Sequence, residues 1–225
     1  IAAGATLDAT GATALGLGAA TVDGTITAAP ATTASSLSLS ATGAFTSQTG
    51  KALTVNGAVT SVGGALTVGS LSATGNLNAS GTLASAGAIS AAAVTLGTGT
   101  FSATNLTATG AFSNAGATTL SGNLVATAFS QTSGSLTAAN LTAPGLFSVT
   151  GGSVTVAGTG SLSSGAITLG DGASLTAPLV SNVAISVGTG ATVTFNHNRD
   201  ITLIAPVSGA GSLVVSSNKA VTDTA

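Results

Sequence analysis

Large apolar residues recur along this chain in three parallel series. Leu53, Leu71, Ile89, Leu106, Leu124 and Leu141 follow one another in steps of 18, 18, 17, 18 and 17. Val59, Leu77, Val94, Phe112, Phe129 and Phe147 follow with steps of 18, 17, 18, 17 and 18. The looser series Leu66, Leu83, Phe101, Leu120, Leu136 and Val154 has steps of 17, 18, 19, 16 and 18. Three columns thus advance together with one shared period. A short period, repeated along a chain, marks an array of stacked supersecondary units.

Within each period the pattern is short and alternating. Segments such as LSATGN (71–76), LNASGT (77–82) and LASAGA (83–88) open on one bulky apolar residue, alternate small and polar side chains, and carry Gly next to their end. Alternation of this kind sends side chains to opposite faces of a strand. Gly and Asn supply the backbone freedom that tight corners need. The predicted fold is all-β: a parallel β-helix, or β-solenoid, with three short strands per coil and a coil period of about 17–18. The chain length then predicts about 13 coils. Coils stack at roughly 4.8 Å, so each inward residue lies against its equivalents above and below, and Phe112, Phe129 and Phe147 are expected to form a stacked column.

A longer phrase overlies the coil period. NLTATGAFSNAG at 105–116 returns as NLTAPGLFSVTG at 140–151. The same Leu-[Ser/Thr/Asp]-Ala-[Thr/Pro] motif starts at Leu7, Leu39, Leu71, Leu106, Leu141 and Leu175, with steps of 32, 32, 35, 35 and 34. Each step reads as two coils. Residues 1–181 are therefore expected to form a regular solenoid of double coils that repeat every 32–35 positions. From residue 182 to 225 the strands lengthen, β-branched residues increase and ionisable groups gather, as expected of a less regular end, cap or junction.

Composition excludes several function classes. Charged residues make up 4% and aromatics 3% of 225 residues, with no Cys, Met, Trp or Tyr. An enzyme draws its acids, bases and electrostatic stabilisers from such groups, so no catalytic residue, cofactor or metal is expected. Three basic residues against a net charge of −2 exclude the clustered Lys and Arg that nucleic acid requires. Disorder driven by charge is excluded by 44% hydrophobic residues. Gly, Ser and Thr break every apolar run well short of the roughly 18 residues of a spanning helix, and an outer-membrane barrel would need aromatic girdles. The absence of Cys suits an exported protein. A start at Ile1 without Met reads as processing or excision from a longer chain.

A few residues invite a chemical reading. Asn196-His197-Asn198-Arg199-Asp200 is the densest ionisable cluster; His197, Arg199 and Asp200 are candidates for a partner contact, against the alternative of a polar turn. Gly170-Asp171-Gly172 has one carboxylate, too few for the six to eight oxygens that calcium takes, and reads as a corner. Asn78, Asn105 and Asn140 open glycosylation sequons. The last two are one double coil apart, so they also read as a single recurring corner held by stacked Asn side chains.

The Gly/Ala/Thr/Ser-rich units, and especially ITLIAPVSGAGSLVVSS at 201–217, resemble passenger domains of bacterial autotransporters and shafts of filamentous-haemagglutinin-type adhesins. That resemblance implies a right-handed β-helix exported to the extracellular space or cell surface. The expected function is structural: the shaft of a surface adhesin, with end-to-end self-association or a host or cell-surface ligand as partner. A self-assembling filament or sheath subunit without an adhesin role is the first alternative. An ice-binding solenoid is the second, although it requires Thr-x-Thr on successive coils and the sequence shows such pairs only sporadically, as at Thr192 and Thr194.

Overall fold

The computed structural model describes residues 1–28, 31–48, 50–157, 161–178, 183–197, 201–203, 205–217 and 221–223, with backbone alone at 197, 201–203, 217 and 221–223. The fold is an all-β parallel solenoid of about 11 coils, its strands stacked about 18 residues apart. Two compact units are distinguished: Ile1–Gly110 with Gly116–Thr119, and Ala111–Ala115 with Leu120–Ala225.

In the first unit the pairing register converts the sequence period into columns. Thr32, Leu53, Leu71, Ile89 and Leu106 are successive partners. Leu37, Val59, Leu77 and Val94 form the second line. Leu7, Ile26, Phe45, Leu66, Leu83 and Phe101 form the third. From Ile26, Leu37 and Leu53 onward these side chains are buried, because strict alternation turns every second residue inward.

The second unit repeats the arrangement. Leu124, Leu141 and Leu162 pair in register. Phe112, Phe129, Phe147, Ile167 and Ile185 continue a second column, and Leu136, Val154, Leu175 and Val193 a third. The phenylalanines stack with ring centroids 5.6 and 4.6 Å apart and planes inclined by 15° and 17°. Leu120 is buried on the strand Ala117–Leu120 together with Thr118.

Two expectations are corrected. The six-copy Leu motif does not mark one column: Leu7 and Leu175 belong to the third column of their units, and Leu39 pairs with Val22 and Ser61, one inward place beyond Leu37. Of the six, Leu71 and Leu106 share a column, two coils apart through Ile89, and Leu141 holds the matching place in the second unit. The motif recurs because any inward Leu followed by small residues reads alike, whichever side of the coil it occupies.

Coil length also varies, which is why there are about 11 coils rather than 13. Thr32 to Leu53 and Leu141 to Leu162 are steps of 21, and Ile185 to Val207 is a step of 22. The pairing ladder fixes strand geometry, so added residues enter at corners: the run from Phe45 to Leu53 is three residues longer than that from Leu66 to Leu71. The stretch after residue 182 continues parallel pairing, with the six-residue strands Thr192–His197 and Ser212–Ser217 in register. Among the described residues no helix is long and apolar enough to cross a membrane.

Candidate functional site

Outward-facing residues carry whatever this fold presents to a partner, and in the second unit they form a regular array. Ser135 and Thr137, Ser153 and Thr155, Ser174 and Thr176, Thr192 and Thr194, and Ser212 and Val214 occupy the outward places of five strands paired in register. All ten are exposed or half-buried. Alternate residues on one strand lie about 6.6 Å apart and neighbouring strands about 4.8 Å apart. The face is therefore an uncharged lattice of hydroxyl and methyl groups. In the first unit the equivalent places are mixed: Thr25 and Thr27, then Ala44 and Thr46, then Ala65 and Thr67.

Polar side chains at the corners mostly join one coil to the next. Asn140 Nδ2 donates to Asn123 Oδ1 at 2.7 Å, and Asn140 Oδ1 accepts from the Ser161 backbone N–H at 2.8 Å and the Ser161 hydroxyl at 3.1 Å. This Asn ladder runs through Asn123, which lies in no sequon. A glycan on Asn140 would be borne by the same Nδ2 and leave it a single N–H for Asn123. Asn105 caps the start of its strand, its carbonyl accepting from Ile89 N–H at 2.8 Å. Asn78 faces outward in register with Thr60 and Thr95.

Two carboxylates are likewise bound by nearby groups, one across coils and one within its own turn. Asp171 Oδ1 accepts from the Thr189 N–H at 2.9 Å on the following coil, while Gly172, at φ +69°, donates its N–H to the Thr189 carbonyl. Gly170-Asp171-Gly172 is a corner clamp. Asp8 Oδ1 accepts from the Thr10 N–H at 3.0 Å and the Thr10 hydroxyl at 2.7 Å. The backbone bond, then the side-chain bond, holds its exposed carboxyl below the ordinary carboxylate range. Among the described residues no three His, Cys, Asp or Glu side chains gather as a metal site would require. His197 ends the strand Thr192–His197, its backbone paired with Ser217; Arg199 and Asp200 lie outside the described residues.

An open groove of about 390 Å³ in the first unit lies over the long corner after Phe45, between residues including Ser47, Gln48, Val68 and Ser85. Its buried hydroxyls are spent on the backbone: Ser47 donates to the Lys51 carbonyl at 2.9 Å and accepts from Gly69 N–H at 3.1 Å, and Ser85 donates to the Gly69 carbonyl at 3.3 Å.

Sequence reasoning missed one buried pair. Asn114 and Gln131 are both 0% exposed, register partners inside the second unit, with Asn114 Nδ2 donating to Gln131 Oε1 at 2.9 Å. Their separation by one coil period was the available signal. Searches of known families, curated proteins and solved structures find no match to this chain.

Proposed function

We propose that this chain is a structural, non-catalytic β-solenoid, exported and serving as the shaft of a bacterial surface adhesin or as part of an extracellular filament. One observation carries the reading: its polar side chains join coil to coil. The bonds from Asn140 to Asn123, Thr189 to Asp171, Thr104 to the Ala86 carbonyl at 2.8 Å and Ser133 to the Ala115 carbonyl at 2.8 Å all run along the stack. Cohesion of this kind suits a load-bearing element, because each coil is completed by its neighbours. The resemblance of residues 201–217 to autotransporter and haemagglutinin-type shafts supports export, and partners are then a host or cell-surface ligand or further copies end to end.

Electron microscopy of the purified protein, and of its source cells with a specific antibody, tests the proposal. Thin particles of uniform width, with label at the cell surface, are expected. Label confined to the cell interior sinks it.

The Ser/Thr-x-Thr face favours a second reading, ice binding. Thr-x-Thr itself is sporadic, but with Ser counted the pairs hold register over four successive coils, and Ser212 and Val214 continue the array. An uncharged hydroxyl–methyl lattice is a surface on which water can order. Thermal hysteresis abolished by Thr155→Lys is the expected outcome on this reading; its absence from the unmodified protein at high concentration removes it.

A further inference from the structure

Three strands of the second unit carry nearly the same text. Residues 111–114 read Ala-Phe-Ser-Asn, residues 128–131 Ala-Phe-Ser-Gln, and residues 146–149 Leu-Phe-Ser-Val. In the observed order Phe112 lies on Phe129 and Phe129 on Phe147, while Ser113 lies on Ser130 and Ser130 on Ser148. Neither position tells one coil from another. If the first strand skipped the second and stacked on the third, Phe would still meet Phe and Ser would still meet Ser. The last position differs: Asn114 meets Gln131 in the native order, and Gln131 in turn meets Val149.

We propose that the buried Asn114–Gln131 amide pair is the device that fixes the order of these coils. In the native order Asn114 Nδ2 donates to Gln131 Oε1 at 2.9 Å and to the Ser135 carbonyl at 3.4 Å, and Gln131 Nε2 donates to the Ser133 carbonyl. In a coil-skipped order Asn114 meets the apolar Val149 and loses the Gln131 oxygen, and Gln131 is expelled from the core with its coil. A buried amide that loses such a bond carries a desolvation penalty that a Leu or Val in the wrong coil does not. Buried polar pairs fix register in coiled coils by the same asymmetry. The expelled coil would pair with another copy, which is domain exchange.

The test is refolding from denaturant, read by size-exclusion chromatography and by the number of backbone amide resonances. The unmodified protein is expected to return as one species. With Asn114→Val and Gln131→Val together, all three strands read Phe-Ser-Val, the remaining difference being the exposed Leu146 in place of Ala111 and Ala128, and at least half of the protein is expected as exchanged oligomers or as monomers with doubled resonances. The exchanged pair, Asn114→Gln with Gln131→Asn, retains complementary amides and is expected to refold as one species. Gln131→Val alone takes the Oε1 acceptor away from Asn114 and lowers the folded-to-unfolded ratio by roughly tenfold to a hundredfold. The proposal is overturned if the double Val variant refolds to a single species in unmodified yield, if the exchanged pair also gives a mixture, or if Gln131→Val leaves the ratio unchanged.

Discussion

Phe129→Ala lowers the unfolding free energy by about 3–5 kcal/mol, the cost of removing a buried aromatic ring from a core that cannot close over the space. Phe129 is 1% exposed and stacks on rings of both adjacent coils, at 5.6 Å from Phe112 and 4.6 Å from Phe147. Each stacked pair adds about 0.5–1.5 kcal/mol beyond burial. A solenoid is held by nearest-neighbour interfaces, and the middle ring belongs to two of them. Collapse is resisted because the backbone ladder on either side, Ala128–Gln131 with Ala111–Asn114 and with Phe147–Val149, holds the coils at fixed spacing. Urea unfolding at constant m measures the loss. Phe129→Leu, which keeps most of the volume but gives up both ring stacks, is expected to lose about 1–3 kcal/mol; a Phe129→Leu variant as stable as the unmodified protein would show that the ring stack contributes nothing of its own.

The second large effect is at a corner. Gly152 has φ +73°, and a Cβ added there would collide with the Gly134 carbonyl oxygen and lie 2.8 Å from the Ser133 carbonyl carbon. Gly152→Ala therefore suffers twice: the left-handed conformation costs about 1–2 kcal/mol for a residue with a Cβ, and overpacking against a neighbouring coil costs about 1–3 kcal/mol more. A combined loss of about 3 kcal/mol is expected. Gly172 separates the two contributions, since its φ is +69° but an added Cβ meets nothing within 4 Å. Gly172→Ala is expected to lose only about 1–2 kcal/mol. Thermal unfolding of both variants, followed by circular dichroism, makes the comparison, and a Gly152→Ala variant no weaker than Gly172→Ala removes the backbone clash as a cause.

Much of the fold was legible in the sequence because the information was local and redundant. Leu53, Leu71, Ile89 and Leu106 announce a column by size alone, and alternation within each segment says which residues turn inward. Ser, Thr, Ala and Gly carry no such signal on the outer face, so the lattice from Ser135 to Thr194 emerges only when corner lengths are known. Ser135 to Ser153 is a step of 18 and Ser153 to Ser174 a step of 21, yet all three are register partners. A fixed period applied to the text would miss that alignment.

The same division holds for polar residues. Asn105 and Asn140 stand out in the sequence because they repeat, but the bond that matters to Asn140 is to Asn123, whose own phrase, Asn-Leu-Val, hides the equivalence. Asn114 and Gln131 look like ordinary strand ends until their alternation with Phe112 and Phe129 turns them inward and their register brings them together.

By itself, then, the sequence determined that this chain stacks short alternating strands into parallel coils around columns of bulky residues, since side-chain volume and alternation are properties of each segment. Tertiary structure alone decided which column Leu7, Leu39 and Leu175 enter, how many residues each corner absorbs, and which polar groups meet across coils. Those choices rest on contacts between residues a whole coil apart in the chain, as Asn114 is from Gln131 and Ile185 from Val207, and a single added corner residue shifts every one that follows.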